Sequence, residues 1–494
     1  MGGRPVKLNT LLTHVILRET QGDLDLDINS IRMDSRKIEP GDLFAAVKDF
    51  YRDGHSYIAH AVEQGAAAVL LSDPPNEEIG VPWVRVHNVL ECLGPMCSRL
   101  HDFPSKKMAV IGVTGTNGKT TTAKMLEAII ASDAQKGGFI GTTGVSYGST
   151  KVHTGLTTPE APEFQELLSK MLSEGVQSAA VEVSSHGITL KRVHGTDFSC
   201  GVFTGLGRDH LDFHEDMSDY AETKINWMLG AVDHSPVGRG GVVPLDDETG
   251  RIILSEFRGN IYSFGFDEEA DIYPQALEYS AKGTSGRLAS PSGSLSLNLN
   301  VPGKHNVRNA MAAAGAALIM GIEPISIVEG LQSFKGVPGR FESIDNERDL
   351  FIYVDYAHTP DALQAALKSL REISSGRVIA VFGCGGDRDR AKRPEMAQAA
   401  VENADIIVVT SDNPRSEDPD VIISDILVGV PGGANGERVF VEADRRAAIK
   451  SAVEMAEPGD AILIAGKGHE TSQIIGDKVI PFDDAQIVRE VLAS

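Results

Sequence analysis

Basic residues are short in this chain relative to acidic ones. Its 494 residues carry 46 Lys and Arg against 69 Asp and Glu, a formal net charge of −23. Nucleic-acid binding needs clustered Lys and Arg to neutralise phosphates, so the charge argues against DNA or RNA as main partner. Small anions are not excluded, because single loops can still be locally positive. Cysteine is equally scarce. Cys92, Cys97, Cys200 and Cys384 are scattered without metal-ligand spacing, which argues against a disulfide framework and reads as reduced thiols in a cytoplasmic protein. No apolar run approaches the length of a membrane span. The start, Met1-Gly2-Gly3-Arg4-Pro5-Val6-Lys7, has no secretory apolar core. What the chain does have is length, enough for about three domains that bury their own cores without staples.

The most informative run is Thr114-Gly115-Thr116-Asn117-Gly118-Lys119-Thr120-Thr121. Before it, residues 108–113 form a short apolar, β-branched run that predicts a buried strand. After it, Met125, Leu126, Ile129 and Ile130 recur at helical spacing. Strand, glycine-rich turn and helix together make a phosphate-binding loop. Lys119 can reach β- and γ-phosphates and the Thr120 hydroxyl can bind Mg²⁺. Val113 stands where a standard loop of this kind has glycine, so the loop is a shortened variant.

The pattern divides the chain into residues 1–104, 105–336 and 337–494. The first part has turn chemistry at Glu39-Pro40-Gly41-Asp42, a strand at 43–47, a helix at 57–67 and a strand at 67–71, and ends at a Phe103-Pro104-Ser105 linker. The second alternates strands (178–183, 201–206) with helices (218–229, 310–320). Within it, residues 250–300 are Ser- and Gly-rich with short alternation and predict an antiparallel edge. The third opens near Val337-Pro338-Gly339-Arg340 and has strands at 351–355, 377–382, 405–410 and 461–465. Such alternation predicts an α/β protein with mostly parallel sheets, whose ligands bind beyond the carboxyl ends of the strands.

Polar clusters fall at those ends. Glu182 closes an apolar strand, where a carboxylate must be paired or bound to metal. Gly207-Arg208-Asp209-His210-Leu211-Asp212-Phe213-His214 follows the next strand, and Lys224 sits on the helix beyond. Thr120, Glu182 and His210 suit Mg²⁺ near ATP phosphates. Taken singly, each group also fits a structural role: a salt-bridged carboxylate, a capping histidine, a solvated lysine. Gly383-Cys384-Gly385-Gly386-Asp387-Arg388 lacks the spacing of a dinucleotide fingerprint. Asp412-Asn413-Pro414-Arg415 and Gly466-Lys467-Gly468-His469-Glu470 follow two further strands. Two arginines and two acids above one sheet edge suit a zwitterionic ligand, because an arginine fork matches a carboxylate at two points and acids match ammonium groups. A surface turn with an exposed arginine is the alternative.

With these residues in order, the chain resembles the Mur ligase family, the ATP-dependent amide-forming enzymes of peptidoglycan synthesis. The resemblance also takes in Asp34-Ser35-Arg36, Thr157-Thr158-Pro159, Gly303-Lys304-His305-Asn306 with Asn309, Pro338-Gly339-Arg340-Phe341-Glu342 and the run from Asp355 and His358 to Leu363. It spans nearly the whole chain and is nearest the members that add a diamino acid as third residue. It implies a central P-loop ATPase-like domain between an N-terminal UDP-sugar domain and a C-terminal Rossmann-like domain.

The resemblance also implies roles. Met33, Ser35 and the loop 48–52 would hold the UDP-sugar, and Thr157, Thr158, Ser184, Leu190 and Arg192 the muramoyl-dipeptide. Residues 115–121, Asn306, Arg340, Asp355 and His358 would hold ATP. Arg388, Asp412, Asn413, Pro414, Arg415, Gly466 and Glu470 would hold meso-diaminopimelate. Lys119, Glu182, His210 and Lys224 would be catalytic, with Thr120, Glu182, His210 and Lys224 on Mg²⁺, Lys224 as its carbamate. A buried lysine readily becomes neutral, and a neutral amine adds CO₂. Diaminopimelate is expected over lysine because Arg415 would otherwise sit buried and unpaired. The protein is expected to act as a cytoplasmic monomer on UDP-N-acetylmuramoyl-L-Ala-D-Glu, without nucleic acid or membrane insertion. A lysine-adding ligase, a folylpolyglutamate synthetase-like ligase and a non-catalytic scaffold are the rivals. Gly205 and Gly207, Leu190, and Pro244-Leu245 depart from the family's usual Asn and Ser, Gln, and Asn-Ala.

Overall fold

Apolar runs become buried strands, and the acidic and glycine-rich residues that follow them become loops at the strands' carboxyl ends. The computed structural model describes residues 5–49, 53–152, 154–211, 213–434 and 436–493. They form two units, one of residues 1–114, 135–201 and 226–240, the other of 115–134, 202–225 and 241–494. Among the described residues no helix is long and apolar enough to cross a membrane.

Among its described residues the first unit holds a small antiparallel pair, Val6–Lys7 with Asp27–Ile28, and strands of two larger sheets. In the N-terminal one, Ile31–Arg32, Leu43–Ala45, Ala68–Leu71 and Trp83–Val86 are parallel, and Leu17–Gln21 adds an antiparallel edge. In the other, Ser178–Glu182 runs parallel between Ala109–Thr114 and Gly137–Gly141. The chain then turns back through Gly144–Tyr147 and Thr150–Val152. Ser178–Glu182 is buried at every position, as a strand covered on both faces must be. The helix Ala161–Ser173 buries Phe164, Leu168 and Met171.

In the second unit the helix Lys119–Ser132 packs on Lys304–Met320 and Pro324–Ser333. A Cβ at Gly330 would collide with the backbone of Ile129, so glycine permits this close crossing. The C-terminal sheet runs in the order Glu342–Ile344, Phe351–Asp355, Ala461–Ala465, Val378–Phe382, Ile406–Val409, Val439–Val441. All neighbours are parallel except the first pair. Ala461–Ala465, Val378–Phe382 and Ile406–Val409 are adjacent, so the loops after them open at one end of the sheet.

Two sequence expectations change. Residues 250–300 are not an antiparallel edge. Glu248–Glu256 is a helix, and Ile261–Phe264 pairs in parallel with residues 241–244. Tyr273–Ser280, Gly283–Ala289 and Leu295–Leu299 form a separate three-stranded antiparallel sheet. Leu295, Leu297 and Leu299 are buried while Ser296 and Asn298 face solvent, so alternation marked one covered face rather than an edge. Phe103-Pro104-Ser105 is no loose linker either. Pro104–Lys106 is a 3₁₀ turn, and the buried Ser105 hydroxyl accepts the Asp197 N–H at 3.0 Å. The strand Val439–Val441 and the hairpin of Ser472–Ile475 with Lys478–Pro481 went unread in the sequence.

The C-terminal helix Asp484–Leu492 is pinned by a fully enclosed ion pair. Arg445 Nε and Nη2 donate to Asp484 Oδ1 and Oδ2 at 2.8 and 2.7 Å. Nη1 and Nη2 also reach Ser411 O and Ala465 O at 3.3 and 3.0 Å. Arg445→Met would leave the Asp484 carboxylate enclosed without its partner, and is predicted to cost about 3–5 kcal/mol. Thermal unfolding should show a clear drop in Tm. An unchanged Tm would contradict this assignment.

Candidate active site

The phosphate loop is built by the turn between the strand Ala109–Thr114 and the helix Lys119–Ser132. Gly118 takes φ of 83°, a left-handed conformation natural to glycine. A Cβ there would strike Asn309 Oδ1. Lys119 Nζ donates to Gly115 O and Thr116 O at 2.9 and 2.8 Å. Thr116 Oγ1 accepts from Gly207 N at 2.9 Å and shares a hydrogen bond with Tyr220 Oη at 3.1 Å. The loop is therefore tied to the segment carrying Asp209 and His210 and to the helix of Lys224.

A cavity of about 320 Å³ opens beside it, lined by Asn117, Gly118, Asn306, Arg340, Asp355 and Tyr356 among others. Arg340 stacks over the Tyr356 ring at 4.3 Å and points Nη2 at Thr120 Oγ1, 3.5 Å away. Asp355 accepts from Phe341 N and Ala357 N at 2.6 and 2.8 Å. Burial pushes its carboxyl up, against the pull of Arg340 and those donors. The cavity brings residues of the phosphate loop together with Asn306, Arg340 and Asp355. His358 is not among its lining residues. Its Nε2 lies 3.5 Å from Asp209 Oδ2, and His210 Nε2 lies 3.4 Å from the same oxygen.

Lys224 is 1% exposed. Its Nζ lies 3.3 Å from Gly115 O and 4.6 Å from the Tyr220 ring centre. Burial, helped by the Lys119 ammonium, drives its pKa well below the ordinary lysine value, with Asp209 opposing. A shift in that direction favours the neutral amine over the ammonium. Asp209 went unassigned in the sequence. Burial pushes its carboxyl up, but His358, His210 and Lys392 outweigh this and hold it far below the usual carboxylate range.

In the first unit, Glu182 is fully buried. Thr142 N and Oγ1 donate to Oε1 and Oε2, each at 2.9 Å. Thr142 Oγ1 also meets Thr157 Oγ1 at 3.0 Å. Thr158 Oγ1 bonds Glu182 O and Ser184 Oγ at 2.8 and 3.1 Å. Arg192 bonds Thr158 O at 3.2 Å and pairs with Glu160 at 2.8 Å. Leu190 ends the short helix Ser185–Thr189. Thr157, Thr158, Ser184 and Arg192 thus share one hydrogen-bonded cluster around Glu182. Met33 and the buried Ser35 lie in the N-terminal sheet region of this unit, where Ser35 Oγ bonds His60 Nδ1 at 3.0 Å. Of the 48–52 loop, residues 50–52 lie outside the described residues, as does Asp212.

Among the described residues, Asp53, His55 and Asp73 are near enough to share an ion. Their polar atoms are already engaged. Lys48 pairs with both acids, and His55 Nε2 accepts from Ser72 N and Asp73 N.

At the open end of the C-terminal sheet, the loops after Ile406–Val409 and Ala461–Ala465 are laced together. Asn413 Nδ2 donates to Glu470 Oε2 at 2.7 Å, and Gln473 Nε2 donates to Asp412 O at 2.7 Å. Asp412 is buried, which pushes its carboxyl up against Arg445 and Lys467. A Cβ on Gly466 would come 3.0 Å from Asp412 Oδ2. Gly383–Arg388 is the neighbouring loop rather than a dinucleotide turn: Gly386 N donates to Asn413 O at 2.9 Å, and Arg388 Nη1 to Asp387 O. Arg415 departs from expectation. It is half-buried, and Nη1 donates to Gly386 O at 2.9 Å, so it is neither enclosed nor unpaired without a ligand carboxylate. The sequence missed Lys467, Thr142 and Asp209 as structural partners. Asp209 and Lys467 lie in quoted motifs and Thr142 in none, and nothing in residue type announced their bonds.

Gly118→Ala should weaken nucleoside triphosphate binding by about tenfold or more, since both φ and space oppose a side chain there. Equilibrium titration with a fluorescent ATP analogue checks this. An unchanged Kd would contradict the loop assignment.

Three family models match the chain: Mur ligase family, catalytic domain, at residues 27–100; Mur ligase middle domain at 113–317; and Mur ligase, glutamate ligase domain, at 339–468. The UDP-N-acetylmuramoyl-L-alanyl-D-glutamate–2,6-diaminopimelate ligase of Clostridioides difficile (strain 630) is 39% identical, over 99% of this chain and 100% of its own. The ligase of the same name from Gloeobacter violaceus is 41% identical over 99% and 98%. A solved structure of a ligase of that name is 32% identical, with a TM-score of 0.70 over 99% of both chains. Folylpolyglutamate synthase of Mycobacterium tuberculosis shares the fold at 18% identity and a TM-score of 0.64, but covers only 81% of this chain. The phosphate loop, the strand-end acids and these likenesses along the whole sequence agree: the chain belongs to the Mur ligase family, ATP-dependent ligases with a central ATP-binding sheet flanked by N- and C-terminal α/β domains.

Proposed function

We propose that this protein joins meso-diaminopimelate to the D-glutamate γ-carboxylate of UDP-N-acetylmuramoyl-L-Ala-D-Glu at the expense of ATP. The observation that carries this reading is the coexistence, in one unit, of a cavity of about 320 Å³ at a phosphate loop and a separate cluster of acids and an arginine at the end of the C-terminal sheet. The first suits phosphoryl transfer. The second suits an amino acid with charges at both ends. The 2,6-diaminopimelate in the relatives' names agrees with the second. The domain limits 1–104, 105–336 and 337–494, a monomeric state and a cytoplasmic site of action belong to the same proposal.

Asn306, Arg340 and Asp355 hold the nucleotide, and Lys119 leaves its loop carbonyls to meet the β- and γ-phosphates. The D-glutamate γ-carboxylate attacks the γ-phosphorus, ADP departs and an acyl phosphate forms. The amine of the incoming amino acid attacks the activated carbonyl, loses a proton, and phosphate leaves. Positioning and charge neutralisation do most of this work. Thr120, Glu182 and Lys224 as its carbamate would offer Mg²⁺ the oxygen ligands it prefers, and His210 the less usual imidazole. The enclosure of Lys224, which drives its pKa down toward the neutral amine, supports carbamylation. When bound, the ion supplies positive charge against the triphosphate. Thr157, Thr158, Ser184 and Arg192 hold the dipeptide, with Met33 and Ser35 toward the uridine and Leu190 alongside.

Diaminopimelate is favoured over lysine because Arg415, held to Gly386 O through Nη1, keeps the rest of its fork for a distal carboxylate, which lysine lacks. Arg415→Ala should raise the diaminopimelate KM by about a hundredfold, as loss of a charge-assisted pair implies. Phosphate release measured with each amino acid tests this. Equal use of lysine and diaminopimelate by the wild type would overturn it. Lys224→Ala should abolish ligation and recover in part with a short carboxylic acid. Full activity without that acid would remove the carbamate from the mechanism.

A further inference from the structure

Lys467 is fully enclosed inside the proposed amino-acid pocket. Its Nζ donates to Asn413 Oδ1 at 3.0 Å and to Glu470 Oε2 at 2.9 Å, and lies 3.9 Å from Asp412 Oδ1. Asn413 in turn donates to the same Glu470 oxygen, and its Oδ1 accepts from Ile474 N at 3.0 Å. One ammonium therefore fixes side chains from both loops that make the pocket. Asp412 Oδ1 is buried and makes no hydrogen bond within the protein.

The charges count simply. Asp412 and Glu470 bring two carboxylates, and Lys467 offsets one. The remaining negative charge matches one incoming ammonium, and Asp412 Oδ1 is the acceptor without a protein donor. Without Lys467 two carboxylates would stand close together with only Arg445, itself paired with Asp484, as enclosed counter-charge, and Glu470 and Asn413 would lose a common anchor.

We propose that Lys467 is a positioning residue that orients Glu470 and Asn413 and sets the pocket to accept a single amino-acid ammonium at Asp412. This rests on reading residues 412–415 and 466–470 as the amino-acid pocket.

The test uses the full-length enzyme with Lys467→Met and Lys467→Arg, measuring phosphate release while each substrate is varied. The methionine variant should raise the diaminopimelate KM about tenfold or more and leave the KM for ATP within about twofold. The arginine variant, which keeps the charge, should recover part of that loss. Should the methionine variant not fold, Lys467→Gln carries the same comparison. A diaminopimelate KM unchanged in a folded variant would overturn the proposal, as would equal rises for ATP and diaminopimelate. Wild-type phosphate release indifferent to diaminopimelate would instead strike the pocket assignment beneath it.

Discussion

A charge taken out of water costs several kcal/mol unless a counter-charge or enough hydrogen-bond donors go with it. That constraint governs the places where this protein does chemistry. Glu182 closes a strand buried at every position and is met by two donors from Thr142. Lys224, equally enclosed, has its pKa driven down by burial, toward the neutral amine. Asp412, Glu470 and Lys467 share their charges at the end of the C-terminal sheet. Behind them Arg445 and Asp484 satisfy each other, and the same guanidinium holds Ser411 O and Ala465 O. Those two carbonyls immediately precede Asp412 and Gly466. An enclosed ion pair below the sheet thus braces both loops of the pocket above it.

The nucleotide cavity obeys a complementary rule. Its wall combines backbone and neutral amides at Asn117, Gly118 and Asn306 with the carboxylates of Asp247, Asp355 and Asp361 and the guanidinium groups of Arg308 and Arg340. The separation of roles is chemical. Phosphoryl transfer needs oriented donors, whereas selecting a diamino diacid needs matched acids and a guanidinium fork.

Much of this was legible in the sequence, for definite reasons. The phosphate loop declared itself because residue type, spacing and flanking elements all agree at Gly115, Gly118 and Lys119. Strands such as Phe351–Asp355 and Ala461–Ala465 were read to the residue because parallel strands buried on both faces are continuous apolar runs. The segment 250–300 was misread because period-two alternation marks one covered face, whether in an edge or in a sheet of its own. Lys467 was quoted only as part of a glycine-rich run, since a lysine there gives no sign of enclosure. Arg445 and Asp484 lie 39 residues apart on two helices, and only the fold makes them partners. Arg415 was expected to be enclosed, but exposure is set by the loop around it, not by its motif.

The central claim is that a carboxylate becomes an acyl phosphate before the amine attacks. Labelling the D-glutamate γ-carboxylate of the muramoyl-dipeptide with ¹⁸O and analysing the released phosphate by mass spectrometry tests this directly. The account predicts one labelled oxygen carried into inorganic phosphate for each amide formed. Phosphate released without the label, while the amide still forms, would contradict it.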